Sequence, residues 1–209
     1  MNITQPIKGI YKLEVPFEDI YTAVFAVTVK EGYLLIDSAT TAEDVDRHIL
    51  PGLRRIGLSD PPKALLLTHR HGDHAGGAPR LSEHFPEMEI LSFEPLKNTP
   101  YRLLLPDEII GGRLQVVCLP GHTQKSIGYL DTETNTLISG DCLQQQGVGK
   151  YTNGIGYPAL YLHSIEKLRS MELSAILASH DYVPLGSAAI GKDEIERYLN
   201  ACIASCPKC

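Results

Sequence analysis

Short apolar runs of strand length fall in two clusters along the chain, each followed by helical patterns. Residues 23–30 and 32–38 are predicted strands joined by the Glu31-Gly32 turn. Residues 63–68 form a continuous apolar run, which is typical of a strand covered on both faces. Further strands are predicted at 89–92, 113–119, 126–131, 136–141 and 174–179.

Four segments have the spacing of amphipathic helices: 41–56, 76–85, 158–171 and 191–204. The first is predicted to begin with a capping box of Thr40 and Glu43 and to end before Gly57. Its apolar stripe consists of Val45, Ile49, Leu53 and Ile56. Because each cluster of strands has its own helices, the pattern predicts an α/β fold in which two sheets pack together with helices outside. We expect residues 1–209 to form a single domain.

Composition excludes several classes of protein. The formal net charge is −6 and the basic residues are scattered, whereas a protein that binds nucleic acid usually carries a basic stripe. No apolar run approaches the roughly 20 residues that span a bilayer, and the N-terminus lacks the pattern of a cleaved signal. We therefore expect a cytoplasmic protein with no nucleic-acid or membrane partner. Its oligomeric state cannot be predicted from these features.

The chain has five cysteines, and an odd number argues against a closed disulfide framework. Cys118 and Cys142 lie in apolar runs and are predicted to be small buried core residues. Cys202, Cys206 and Cys209 crowd the C-terminus, with a spacing that could hold a metal. Since no histidine accompanies them, a reduced, unstructured tail is the favoured interpretation, although Cys202 also falls on the apolar stripe of the last helix.

Candidate chemistry concentrates in LLLTHRHGDHAGG, residues 65–77, directly after a predicted buried strand. His69, His71, Asp73 and His74 fall within six positions, and imidazole and carboxylate are natural ligands of zinc and similar ions. Gly72 is expected to supply a flexible backbone for the turn, and Gly76 and Gly77 a close approach where the helix begins. Further candidates stand at the ends of three other predicted strands: His122, Asp141 and His180.

The runs T-H-x-H-x-D-H, G-H-T, S-G-D and a late S-H resemble, in order and spacing, the metallo-β-lactamase superfamily. The resemblance covers nearly the whole chain and begins with the strand that ends in Ile36-Asp37. It implies an αββα sandwich with two mixed sheets and a metal site at one edge. It also implies three sets of ligands: His69, His71 and His122 for a first metal, Asp73, His74 and His180 for a second, and Asp141 bridging both. Asp37 would orient these ligands without binding metal itself.

Asp141 distinguishes this chain from the zinc β-lactamases, which have cysteine at that place. The chain instead resembles the class II glyoxalases, the lactonases and the tRNA-processing ribonucleases. Cys142, one residue further on, is predicted to face the other side of the strand and to bind no metal. The C-terminal cysteines are not needed to complete the seven ligands.

The resemblance implies a hydrolase in which two divalent ions activate water against a small-molecule ester, thioester, lactone or amide. Zinc is the favoured metal, and iron and manganese remain alternatives. Asp73 is the candidate catalytic residue because its carboxylate could accept a proton. An iron-dependent redox enzyme of the same fold, similar to the sulfur dioxygenases, is the alternative. A nuclease or a non-catalytic metal-binding module is less favoured.

Candidate substrate-binding residues are Lys125, Tyr151 and Tyr182. Lys125 stands in GHTQKS, beside the ligand loop, and could pair with a substrate carboxylate or could be an exposed, solvated lysine. Tyr151 belongs to residues 142–158, which form either a specificity loop, with Gln144–Gln146 among its candidates, or an ordinary glycine-rich connection. Tyr182 follows His180 closely and is expected to line the mouth of the site. The remaining histidines, on helical patterns, are predicted to be plain surface or packing residues: His48, His84 and His163.

Overall fold

The protein is described by a computed structural model, which covers residues 1–97 and 99–207. It contains two compact units, Met1–Leu104 and Leu105–Cys209. Over the described residues, none of the helices combines the length and the apolar character needed to cross a membrane.

The first unit is built on a seven-stranded mixed sheet whose strands follow one another in chain order. Its strands are β1 Asn2–Ile7, β2 Ile10–Phe17, β3 Ile20–Val29, β4 Gly32–Ile36, β5 Ala64–Leu66, β6 Glu89–Ser92 and β7 Arg102–Leu103. β1 to β4 pair antiparallel, whereas β4 to β7 pair parallel. The carboxyl ends of β4 and β5 therefore lie side by side.

The helices of the first unit are α1 Ala42–Asp44, a π-helical segment Val45–Ile49, α2 Leu50–Arg55, α3 Gly72–Ala75 and α4 Ala78–His84. The predicted stripe of the first helical region is confirmed, because Val45, Ile49 and Leu53 are buried in a cluster with sheet residues such as Leu35 and Leu65. The predicted capping box is wrong by one residue. Thr41 and Asp44 form it, with the Asp44 amide donating to the Thr41 hydroxyl and the Thr41 amide donating to the Asp44 carboxylate.

The glycine pair after α3 packs against the loop that follows β4. A Cβ on Gly76 would lie 1.9 Å from the carbonyl oxygen of Thr40, and one on Gly77 would lie 2.1 Å from that of Ser38. The predicted close approach at this pair is confirmed, since only glycine fits such distances. The expectation for Gly72 is not met, because it is an ordinary helical residue with open space around it.

The second unit is built on a six-stranded sheet in the order β15-β14-β11-β10-β9-β8. Its strands are β8 Ile109–Ile110, β9 Leu114–Cys118, β10 Ile127–Asp131, β11 Thr136–Gly140, β14 Ala175–Tyr182 and β15 Gly186–Ile190, beside a separate hairpin of β12 Gly147–Val148 and β13 Tyr151–Thr152. β11 and β14 pair parallel, and the other pairs are antiparallel. β9, β11 and β14 consequently run in one direction, and their carboxyl ends share one edge of the sheet.

Two helices, α5 Pro158–Arg169 and α6 Lys192–Ser205, cover the second sheet. Tyr161, Ile165 and Tyr198 are buried in the apolar cluster between these helices and the sheet, together with Cys202. Burial raises the pKa of the Cys202 thiol to about 12. The interpretation of the C-terminus as an unstructured tail is therefore wrong for Cys202, and also for Cys206, which is half-buried at the end of α6. Cys209 lies outside the described residues.

Two other expectations about the second unit need correction. Cys118 is half-buried rather than fully buried. The strand expected to end at residue 179 extends through Tyr182, so His180 lies within β14 instead of after it.

A buried ion pair joins the start of β9 to the end of β10. Arg113 donates to both carboxylate oxygens of Asp131, at 2.8 Å and 2.7 Å. Burial by itself would raise the pKa of Asp131, but the hydrogen bonds from Arg113 and Thr134 outweigh it and hold that pKa below its usual range. The pair is a structural element at the hairpin between β10 and β11.

The predicted fold class is confirmed, since two large mixed sheets and their helices account for the chain. Among the residues that the structure describes, seven strands were not predicted: β1, β2, β7, β8, β12, β13 and β15.

Candidate metal centre

The first group of candidate ligands follows β5, where LLT leads into the histidine-rich segment. Asp37 directly follows the neighbouring parallel strand β4, and its amide donates to the Leu66 carbonyl at 2.9 Å. His69 and His74 are buried, and His71 is exposed. Asp73 and His74 lie on α3, the short helix that His71 precedes. The parallel pairing of β4 and β5 therefore places Asp37 beside this segment.

Asp37 connects two of the ligand histidines through one buried carboxylate. Its Oδ2 lies 2.7 Å from His74 Nδ1 and accepts a hydrogen bond from the Thr68 hydroxyl at 2.9 Å. Thr68 Oγ1 in turn lies 3.1 Å from His69 Nδ1. Because a carboxylate only accepts, both rings carry their proton on Nδ1 and present the Nε2 lone pair. This is the orienting arrangement that metal-binding histidines require.

The backbone that carries Asp37 is held in an uncommon conformation. Asp37 and Ala39 have φ values of 61° and 58°, in the left-handed region that few residues other than glycine adopt. The Ser38 amide donates to the His74 carbonyl at 2.7 Å, and the Ser38 hydroxyl donates to the same oxygen at 2.9 Å. These contacts tie the strained loop to α3, and such strain is concentrated at functional sites.

The side chains of the first group converge. Ring centroids are 4.6 Å apart for His69 and His71 and 4.2 Å apart for His69 and His74. His74 Nε2 lies 3.4 Å from Asp73 Oδ2. Two ligands bound at about 2.1 Å to one tetrahedral ion stand roughly 3.4 Å apart, so this spacing suits a shared ion.

The second group lies where β9, β11 and β14 approach one edge of their sheet. Asp141 directly follows β11, His122 stands four residues after β9, and His180 lies within β14. Asp141 is 7% exposed and His180 3% exposed. Asp141 Oδ1 lies 3.3 Å from His180 Nε2, and its Oδ2 lies 3.7 Å from His122 Nε2. The two oxygens of one carboxylate thus face two different histidines.

The His122 ring is oriented from behind, as are the rings of the first group. Its Nδ1 lies 2.6 Å from the Gly154 carbonyl oxygen, which can only accept. Nε2 is therefore the nitrogen available to a metal. The donor chemistry of both groups, with imidazole nitrogens and carboxylate oxygens, fits a metal site.

The candidate substrate residues differ in exposure. Lys125 is exposed, and so is Tyr151, whose ring lies 5.3 Å from the Lys150 ammonium. Tyr182 is 2% exposed, with its ring 5.7 Å from that of His180. Burial, together with the neighbouring Asp141 carboxylate, raises the pKa of Tyr182 well above its ordinary value. Their roles toward a substrate stay predictions.

Sequence reasoning did not find Thr68 or Gly154 as residues that orient ligands. The threonine is signalled only by its place between a buried strand and the first histidine. Gly154 is 32 residues from His122, and nothing in the spacing of the motifs connects the two.

Comparison with known proteins agrees with this architecture. The family model described as the metallo-β-lactamase superfamily matches residues 18–92. A metallo-β-lactamase from Pontibacter korlensis superposes with a TM-score of 0.74 at 20% identity, covering 96% of this chain and 98% of that one. TTHA1623, solved in a di-iron-bound form, has a TM-score of 0.67 at 25% identity, with coverage of 85% and 93%. The chain belongs to the metallo-β-lactamase superfamily.

Curated relatives add a likeness in sequence. A hydroxyacylglutathione hydrolase from Xanthomonas axonopodis is 30% identical over 178 residues, which are 83% of this chain and 65% of the relative. Relatives from Yersinia enterocolitica and Synechococcus carry the same name, and the chain spans from 49% to 65% of the length of these three proteins.

Proposed function

We propose that this chain is a metal-dependent hydrolase whose seven ligands hold two divalent ions. His69, His71 and His122 would bind the first ion, and Asp73, His74 and His180 the second. Asp141 would bridge them. This assignment rests on the resemblance of the motifs and on the donor geometry within each group.

The observation that carries the proposal is the position of the Asp141 carboxylate. A carboxylate that bridges two ions must offer one oxygen to each, alongside a ligand of each ion. Oδ1 stands 3.3 Å from His180 and Oδ2 stands 3.7 Å from His122, close to the spacing of ligands on one ion. These two histidines are assigned to different ions, which supports the bridging role.

When bound, a pair of such ions supplies a hydroxide near neutral pH and polarises the bond under attack. The residues of the chain orient the metal ligands and exchange protons with the reacting groups. Asp73 is the candidate to accept a proton from the nucleophile. Asp37 keeps His74, and His69 through Thr68, in the tautomer that leaves Nε2 unprotonated.

We propose zinc as the native metal because histidine and carboxylate ligation at tetrahedral spacing suits it. Iron is the main alternative, since TTHA1623 was solved with two irons. Manganese is less favoured, because imidazole ligands suit it less than carboxylates do.

The proposed substrate is a small molecule with a thioester, ester, lactone or amide bond. The name of the curated relatives favours the thioester. A cavity of about 560 Å³ in the first unit supports a small substrate, because binding sites of this class typically occupy roughly 300–1,000 Å³. His71 lines this cavity, and Arg70 and Lys97 give it two cationic side chains.

Metal analysis of the purified, metal-replete protein tests the proposal together with a panel of thioesters, lactones and esters. We expect close to two ions per chain and turnover of at least one class. Asp141→Ala and His71→Ala should each abolish turnover while leaving the circular dichroism spectrum unchanged, because these ligands lie outside the apolar clusters. Cys142→Ser is the matched control next to Asp141 and should keep both ions.

A single ion under metal-replete conditions would overturn the dinuclear assignment. Near-parent turnover in either ligand variant would show that the ligands are wrongly assigned. Oxygen consumption by an iron-loaded protein that hydrolyses none of the panel would favour the redox alternative.

A further inference from the structure

Three consecutive glutamines, Gln144–Gln146, lie near the start of the loop of residues 142–158, and their side chains have different surroundings. Gln144 is 4% exposed and faces His122. Gln145 is fully buried and bonds to the turn before β15, where its Oε1 accepts from the Leu185 amide at 3.0 Å. Gln146 is exposed. A glycine-rich connection with no role would give no reason to bury two neighbouring amide side chains, because buried polar groups are costly unless they are bonded.

Gln144 bonds to the same residue that holds the His122 ring. Its Oε1 accepts from the Gly154 amide. Its Nε2 lies 3.0 Å from His122 Nδ1 but does not bond to a protonated Nδ1, because an amide nitrogen only donates. The Gly154 carbonyl accepts the Nδ1 proton at 2.6 Å. The main-chain carbonyl of Gln144 accepts a hydrogen bond from the buried Tyr161 hydroxyl, which fixes the glutamine itself.

The rest of the loop fits closely around the same histidine. A Cβ on Gly154 would lie 3.1 Å from His122 Cε1, and one on Gly156 would lie 2.8 Å from the His122 carbonyl oxygen. The Tyr157 amide donates to the Gly121 carbonyl at 2.8 Å. The loop thus contacts both the ring and the backbone of His122.

We propose that Gln144 is a positioning residue for His122. By holding Gly154, it directs the Gly154 carbonyl at Nδ1, so that the ring keeps its proton there and offers Nε2 to the metal. The residues 142–158 then orient a ligand in addition to any part they play in substrate choice. This inference rests on the proposed function for the identity of the metal site, but the hydrogen bonds exist without it.

The test compares three leucine variants and one glutamate variant with the parent. Gln144→Leu cannot accept from Gly154, and we expect the affinity for one of the two ions to fall roughly 10- to 100-fold, as for other residues that orient metal ligands. Gln144→Glu keeps an acceptor for the Gly154 amide and should restore the affinity. Gln145→Leu should lower the stability of the fold without changing the affinity for either ion. Gln146→Leu should change neither the stability nor the affinities. Affinities are measured by competition between chelator and Co²⁺, followed by absorbance.

A second readout uses the metal-free protein. Nitrogen-15 NMR of the histidine rings should show the His122 proton on Nδ1 in the parent and a mixture of tautomers in Gln144→Leu. An unchanged tautomer and unchanged affinity in that variant would overturn the inference while leaving the hydrolase proposal intact. If the parent binds no metal, the hydrolase proposal fails, and the tautomer experiment alone decides the role of Gln144.

Discussion

Asp37 offers a direct test of how ligands are oriented, because asparagine has nearly the same shape and tolerates the left-handed backbone that Asp37 adopts. Asp37→Asn replaces one acceptor oxygen by a donor. The side chain at position 37 can then no longer accept hydrogen bonds from both His74 and Thr68. We expect the affinity for the ion assigned to His74 to fall roughly 10- to 100-fold. Chelator competition measures this.

Asp46→Asn is the matched control for that substitution. Asp46 also contacts a histidine, His84, at 2.8 Å, but it lies on the surface. The Asp46→Asn variant should therefore bind metal as the parent does. Equal affinities in the parent and Asp37→Asn would show that Asp37 does not orient the ligands.

Cys142 separates the aspartate arrangement from the cysteine arrangement of the zinc β-lactamases. The residue is 1% exposed, and its Sγ lies 3.4 Å from the Ile127 carbonyl oxygen. Cys142→Ser should keep both ions and the activity but cost about 1–2 kcal/mol of unfolding free energy, because a hydroxyl enters an apolar cluster. Urea unfolding and elemental analysis check the two parts. Loss of one ion would identify the sulfur as a ligand.

Single residues could be predicted from the sequence where a metal-binding residue type stands at a place defined by the order of the motifs. The seven proposed ligands and Asp37 follow from motif order, and the local geometry of each group agrees with a metal site. Thr68, Gln144 and Gly154 could not be placed in the same way. Their importance arises from where a hydroxyl, an amide and a carbonyl lie in three dimensions, and neither periodicity nor spacing encodes those positions.

The first helical region allows a sharp test of its N-terminus. In the run Ala39–Asp44, Thr40 with Glu43 and Thr41 with Asp44 both fit a capping box, and the structure selects the second pair. Thr41→Ala should cost about 1 kcal/mol of unfolding free energy. Thr40→Ala, the control, should cost clearly less. The urea midpoints of the two variants measure the difference, and the opposite order would return the cap to Thr40.

Two of the strands that were not predicted, β1 and β15, have weak local signals. β1 is largely exposed, and β15 reads GSAAI, a run of small residues with little strand preference. Each forms by antiparallel pairing with a largely buried strand: β1 pairs with β2, and β15 pairs with β14. Strands with a clear apolar run, such as β3 and β11, were predicted from the sequence alone.

Acid sensitivity of the whole protein should reflect the Arg113–Asp131 pair. The pKa of Asp131 is lowered in the folded state, so its stabilising contribution is present above the ordinary carboxyl pKa of about 3.9 and is lost as the pH falls through the lower folded value. Asp131→Asn should therefore be less stable at pH 7 and lose less stability between pH 5 and pH 2. Urea unfolding at several pH values measures both.

An identical pH dependence in parent and variant would contradict this explanation. Breaking a buried pair costs roughly 3–5 kcal/mol, and the single variant could fail to fold. The double variant Arg113→Met with Asp131→Leu removes both charges, and it should fold with the reduced pH dependence.

Residues 1–209 are predicted to act as a single domain, and unfolding can test this. We expect one cooperative transition, with the same midpoint by circular dichroism and by tyrosine fluorescence. Two separated transitions would show that Met1–Leu104 and Leu105–Cys209 fold independently.

The contact between the glycine pair and the loop after β4 has a consequence for recombination among relatives. Residues 38–40 and 76–77 are far apart in sequence, yet a Cβ on either glycine would overlap a carbonyl oxygen of the loop. A chimaera whose crossover falls between them inherits the two surfaces from different parents. Such crossovers should yield folded protein only when both parents have glycine at these positions and a loop of the same path. Crossovers after residue 77 carry the matched surfaces together and should be tolerated far more often.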